Sequence, residues 1–154
     1  MIETPTLSDT TAQRTAVIHV TVPRQDIQQA MGAGYQELMS TLAAQGLKPT
    51  GPWFTHHLRM DPDVFDYEIG APIEGTLRPS GRVVAGEWPA ARVARTVYQG
   101  GYEGLGEAWG EFDAWIKANG LKTRDDLWEN YAVGPETGPD SSQWRTELYR
   151  PLAS

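Results

Sequence analysis

The chain has 154 residues, 40% of them hydrophobic, and a formal net charge of −7. Cysteine is absent, which excludes disulfides, thiolate metal sites and a cysteine nucleophile. The acidic balance argues against direct contact with nucleic acid, whose affinity rests on Lys and Arg neutralising phosphates. No apolar run approaches the roughly 20 residues that span a bilayer, so no membrane partner is expected.

The start, MIETPTLSDTTAQR, has neither a basic end nor an apolar run, so it is not a signal peptide. Residues 1–13 read as a loose polar lead-in, and with the missing cysteine this fits a cytoplasmic chain. Residues 16–22 form a β-rich run ending at Pro23. A helix is predicted from about Asp26, its N-cap, to Gln45, with Ile27, Met31, Tyr35, Leu38 and Leu42 on one apolar face. Gly46 ends it in the left-handed conformation, and Leu47 supplies the accompanying hydrophobic contact. Two strands follow at 53–60 and 64–72, turned at Asp61-Pro62-Asp63. A short linker near 75–81, GTLRPSG, leads to a strand at 82–88, a turn at Pro89 and a strand at 92–99. Gly100-Gly101 opens a second helix whose apolar face carries Leu105, Trp109, Phe112 and Ile116, and Gly120-Leu121 closes it. Strands at about 126–133 and 144–151 end the chain, joined by a loop, 134–143, expected to be mobile.

The two halves match. Shifted by 74 positions, 31–47 falls on 105–121, placing Met31 on Leu105, Tyr35 on Trp109, Leu38 on Phe112 and Gly46-Leu47 on Gly120-Leu121. The same offset places Phe54 on Trp128 and His57 on Tyr131, a step to 79 places Glu68 on Glu147, and a step to 78 upstream places 11–16 on 89–94. One β-α-β-β module is therefore used twice, at about 14–74 and 81–152. The expected fold is α+β: an antiparallel sheet built from both modules, both helices on one face, with approximate two-fold symmetry.

A seam between such copies is a candidate ligand site. In WRTELYRP, strand alternation sends Trp144, Thr146 and Leu148 to one face and Arg145, Glu147 and Tyr149 to the other. If the helices cover the Trp144 face, Glu147 looks away from the core and pairs with Arg145 or Arg150. If they cover the other, a carboxylate enters the interior, where it must be paired or used. Glu68 at the matched position, and Tyr35 and Trp109 on the helices, would add a second carboxylate and aromatic walls, which suit a flat cationic guest. His56 and His57 are adjacent on a strand, so their side chains diverge and cannot chelate one metal. No phosphate-loop, dinucleotide or nucleophile-elbow motif occurs, and no cofactor or metal is indicated.

The stretch GRVVAGEWPAARVARTVYQGGYEGLGEAWGEFDAWIKANGL, then WENYAVGP and WRTELYRPL, closely resembles the GyrI-like small-molecule-binding family. That family includes effector-binding domains of AraC-type and MerR-type multidrug regulators, and gyrase-inhibitor proteins. The resemblance covers roughly 14–152 and is most specific at GGYEGLGEAW and TELYRPL. It implies a duplicated fold with a pocket between the copies, in which Glu147 meets a cationic drug and Trp109 on the second helix lines the site. It places Tyr131 and Tyr149 among the pocket aromatics, with Trp128 as a further candidate beside them. It implies a binder of small hydrophobic, cationic or aromatic molecules. Some members resemble hydrolases of cyclopropane-bearing genotoxins, for which Glu147 would be the catalytic group, and others act on a DNA gyrase. The family's regulators add a DNA-binding domain, for which the 13 residues before the first strand leave no room, so a partner regulator in trans is a further implication.

Overall fold

The computed structural model describes residues 2–134 and 138–153, so residues 135–137 of the 134–143 loop lie outside the described residues. The strands are β1 (Thr6–Asp9), β2 (Gln13–Pro23), β3 (Phe54–Met60), β4 (Val64–Pro72), β5 (Val84–Trp88), β6 (Arg92–Gln99), β7 (Leu127–Val133) and β8 (Arg145–Pro151). The helices are α1 (Ile27–Ala44) and α2 (Leu105–Ala118), entered through the short 3₁₀ turns Arg24–Asp26 and Tyr102–Gly104. No described helix is long and apolar enough to cross a membrane.

All described strands join one antiparallel sheet in the order β1-β6-β8-β7-β3-β4-β2-β5. With β1 to β4 read as the counterparts of β5 to β8, this order is the same from either end. The matching halves of this order hold four strands each, one more than the β-α-β-β pattern expected. The polar lead-in is not loose: Thr6–Asp9 pairs with Arg92–Arg95 of β6, while β5 pairs with β2. Each half lends its first strand to the other, and each lent strand covers an edge that would otherwise stand open. Four residues without alternation carry no strand signal of their own; the neighbouring edge supplies it.

The two helices differ by one turn. Both 3₁₀ turns and both helix starts are related by 78 positions (Arg24 to Tyr102, Ile27 to Leu105), but the helix ends by 74 (Ala44 to Ala118). Asp26 holds the N-cap position of α1 without a side-chain capping bond. Gly34, not Tyr35, faces the sheet: a Cβ there would sit 3.2 Å from Ile69 Cγ2, whereas Tyr35 is 37% exposed.

Paired residues lie on one side of a sheet. Ile18, Ile69, Thr55, Glu129, Leu148 and Thr96 are partners in succession from β2 to β6 and form one row across it. Ile18 and Ile69 pack with Leu38 and Leu42 of α1, and Leu148 packs with Ala108, Phe112 and Ile116 of α2. Both helices therefore cover the face of this row. On the opposite face Val17, Phe54 and Trp128 form a separate cluster with Trp88 and Tyr149. In a flat sheet β5 and β7 would stand about 19 Å apart, at roughly 4.8 Å per strand. Trp88 of β5 nevertheless stacks on Trp128 of β7 at 4.2 Å, so the sheet curls around this cluster.

Both helices end in the same cap. Leu47 N–H donates to Leu42 O and Gly46 N–H to Ala43 O; Leu121 N–H donates to Ile116 O and Gly120 N–H to Lys117 O. Gly46 and Gly120 have φ of 69° and 66°, and an added Cβ would meet no atom within 4 Å at either. The cost of alanine is then purely backbone, about 1–2 kcal/mol at each position. Urea midpoints of Gly46→Ala and Gly120→Ala should fall by equal amounts; a loss at only one would show that the caps are not equivalent.

Candidate functional site

A cavity of about 730 Å³ opens between the N-terminal halves of α1 and α2. Its floor is the middle of the sheet: His57 of β3, Phe65 of β4, and Leu127, Glu129 and Tyr131 of β7. Ile27 and Met31 of α1 form one wall, and Leu105 and Trp109 of α2 the other, with Trp53 and Tyr102 between them. Arg24, Gln28, Asp113 and Arg150 add polar groups to the lining. The walls correspond at the 78-position offset, Ile27 to Leu105 and Met31 to Trp109; at 74, His57 corresponds to Tyr131 in the floor and Trp53, between the walls, to Leu127.

The alternation of β7 builds the floor. Leu127, Glu129 and Tyr131 point toward the helices, and Trp128 and Asn130 point away. Glu129 is 8% exposed, and both its oxygens are held: Trp109 Nε1–H donates to Oε2 at 2.7 Å and Tyr131 O–H to Oε1 at 2.6 Å. Tyr131 has one proton and gives it to Glu129, so its oxygen accepts from Thr55 Oγ1 at 2.7 Å. Thr55 has then spent its proton and accepts in turn from His57 Nε2–H at 3.3 Å. The chain of bonds thus runs from His57 through Thr55 and Tyr131 to the carboxylate, and it fixes the proton of a neutral His57 on Nε2. Trp53 lies 4.2 Å from the Tyr131 ring and Tyr102 5.7 Å from it, which gives the carboxylate aromatic surroundings.

Burial lowers the His57 pKa, opposed by Glu129 and assisted by His56 and Arg24. Burial and the adjoining Glu129 raise that of the Tyr131 hydroxyl well above its ordinary value. Tyr131 therefore serves this site as a neutral hydrogen-bond donor and not as a base.

Of the residues expected at the site, Trp109 and Tyr131 line the cavity, and Glu147, Tyr149, Trp128, Tyr35 and Glu68 do not. Glu147 precedes Leu148 of the helix-facing row by one residue, so it points to the opposite face. There Arg95 donates to it at 2.6 Å, Asn130 Nδ2 at 2.6 Å and Tyr149 O–H at 3.1 Å. Trp128 shares that face, sandwiched between His56 at 3.7 Å and Trp88 at 4.2 Å. Glu68 lies beside His56, with Nδ1 3.3 Å from Oε1. Tyr35 stacks edge-on against Trp53 at 5.1 Å, outside the cavity, because Trp109 finds Met31 and not Tyr35 opposite it. The carboxylate inside the cavity is Glu129, which the sequence reading did not single out. Alternation in LWENYAV groups it with Tyr131, and that signal was available.

The family model for the GyrI-like small molecule binding domain matches residues 3–153, and the chain belongs to that family. A search of curated protein sequences finds no match. Among solved structures, the C-terminal domain of EcmrR is similar with a TM-score of 0.85 at 20% identity, over 98% of each chain. In the EcmrR–DNA complex the match has a TM-score of 0.87 at 20% identity, over 98% of this chain and 57% of that one. The chain thus spans little more than half the length of that protein. SAV2435 bound to tetraphenylphosphonium is similar with a TM-score of 0.67 at 14% identity, over 99% of this chain and 95% of that one. A hydrolase from Listeria innocua gives 0.65 at 11% identity, over 97% and 91%. At these identities the likeness is one of fold.

The adjacent histidines titrate in opposite senses. His56 has both ring nitrogens against carboxylates, Nε2 at 2.7 Å from Asp126 and Nδ1 at 3.3 Å from Glu68. Burial opposes its charge, but the two carboxylates outweigh burial and raise its pKa above 6.5. Its contribution to stability is full below 6.5 and is lost as pH rises through the raised folded value. His57, with a lowered folded value, contributes stability above 6.5 that is lost as pH falls through that value. His56→Gln should flatten the alkaline side of the pH–stability curve and His57→Gln the acid side, read from urea midpoints. Flattening on the same side by both variants would contradict this assignment.

Proposed function

We propose that the chain binds small hydrophobic molecules bearing a cation or an extended aromatic surface in the cavity between α1 and α2. It thereby sequesters a toxin or senses an effector, and the cytoplasm is the setting that suits its composition. In this reading the two halves are copies of one module and the ligand lies at their seam, a view supported by the palindromic strand order. The observation that carries the proposal is Glu129, a buried carboxylate among aromatic rings with two of its roughly four acceptor positions in use. In such a low-dielectric setting its attraction for a cation is far stronger than in water. Trp53, Tyr102, Trp109 and Tyr131 add cation–π surface. The net charge of −7 favours the approach of cations. SAV2435, which shares the fold, is described with the lipophilic cation tetraphenylphosphonium bound.

The hydrogen-bonded chain behind Glu129 favours a second reading, hydrolysis of a strained electrophile. Glu129, fixed in orientation by Trp109 and Tyr131, would take the proton of an attacking water, the role the sequence reading gave to Glu147. Turnover of such an electrophile by the parent, lost in Glu129→Gln, would put this reading ahead of simple binding.

Glu129→Gln keeps the shape of the site and removes its charge. A charged hydrogen bond contributes about 1.5–3 kcal/mol, so tetraphenylphosphonium should bind roughly 10- to 150-fold more weakly by titration calorimetry. Glu147→Gln, on the other face, should bind within about two-fold of the parent, a difference of less than about 0.5 kcal/mol. The reverse ranking would move the site to the face of Glu147.

A further inference from the structure

The cavity holds a second charge that a simple cation does not use. Arg24, in the turn before α1, lines it on the side away from α2. Its guanidinium lies over the Phe65 ring, 4.3 Å from the centroid, and its Nε–H donates to Asp61 O at 2.8 Å. Among the described residues no carboxylate pairs with it, and the terminal nitrogens of its fork have no hydrogen-bond partner. The cavity's other arginine is different: Arg150 meets Asp113 at 3.2 Å and Arg124 O at 3.2 Å, so its charge is answered within the protein.

Glu129 and Arg24 stand at opposite ends of one row across the floor. From Glu129 the row passes to Tyr131 at 2.6 Å, Thr55 at 2.7 Å and His57 at 3.3 Å. It continues to Phe65, whose centroid lies 5.7 Å from that of His57, and ends at Arg24. The two charges share a largely apolar cavity without touching each other. Separated charges in such a setting each carry a desolvation cost that no opposite charge offsets. A monocation at Glu129 would answer one of them and face the other unfavourably. A ligand with a cation at one end and an anion at the other answers both.

We propose that the cavity selects amphoteric aromatic molecules, with the cationic group at Glu129 and the anionic group, a carboxylate or similar oxyanion, on the fork of Arg24. The row between the two residues asks for charges held apart by a flat aromatic body, not adjacent as in an amino acid. A guanidinium with free terminal N–H groups suits a carboxylate because two parallel bonds can form. This inference rests on the cation-binding reading of the same cavity and adds the second pole to it.

Rhodamine B and its ethyl ester test it. Both carry the same aromatic cation, but the first has a free carboxylate and the second has it blocked. Fluorescence anisotropy at neutral pH should show the acid binding the parent about tenfold more tightly than the ester, the lower range for one charged hydrogen bond. Glu129→Gln should weaken both dyes alike, and Arg24→Gln should bring the acid-to-ester ratio close to one. Equal binding of the two dyes to the parent, a comparison that needs no variant, overturns the inference and leaves cation binding standing. An unchanged ratio in a folded Arg24→Gln overturns it equally. If neither dye binds, the cation-binding reading fails and this inference fails with it.

Discussion

β3 and β7 meet in the middle of the sheet, one from each half of the chain, and the register of that pairing decides what the cavity contains. Thr55 stands opposite Glu129, and beyond them Ile69 and Leu148 continue the row that both helices cover. Strand side chains alternate, so a slip of one residue in β7 would turn Glu129 and Tyr131 away from the helices and bring Trp128 and Asn130 into their place. The apolar packing of α1 on Ile69 and of α2 on Leu148 pins the register on both sides. The exchange of β1 and β5 between the halves ties the same two units at their outer edges. Core packing and site chemistry are in this sense one constraint.

Burial of Glu129 is tolerable because its donors are in place before any ligand arrives. Trp109 approaches from α2 and Tyr131 from the same strand, so the carboxylate is oriented by groups on two elements. The order of protons behind Tyr131 follows from counting: two hydroxyls with one proton each, ending on an acceptor-only carboxylate, leave a single direction for the chain. His57 at the far end is kept neutral by burial, which spares the floor a positive charge near Glu129. The opposite face has its own carboxylate, Glu147, but there Arg95 answers its charge and Asn130 and Tyr149 donate to it as well. Two acidic residues on neighbouring strands thus have different surroundings, one satisfied by a cation of the protein and one by neutral donors that leave its charge available.

The helices, their glycine caps and seven of the eight described strands were legible from periodicity and turn chemistry, because most of those elements are long and regular. β5 was legible as a strand but not as a partner of β2, and β1 was not legible at all. Thr6–Asp9 owes its conformation to the edge of β6, a long-range contact without a local signature. The site was legible in part. Trp109 and Tyr131, which emerged from the internal match and the family resemblance, line the cavity; Glu147 lies on the opposite face, and the carboxylate that lines the cavity is Glu129. Alternation divides β8 into two faces without saying which one the helices cover; only the full row from Ile18 to Thr96 says that. Tyr35 was matched to Trp109 by an offset that holds at the end of the helix and not at its start, since α1 is one turn longer than α2.

A crystal structure of the protein with tetraphenylphosphonium tests the central claim most directly, because it separates the two faces of the sheet without relying on affinity. The account places the cation between α1 and α2, over the Glu129 carboxylate and against the rings of Trp109 and Tyr131. Density for the cation beside Arg95, Glu147 and Tyr149, with the space over Glu129 empty, would contradict it.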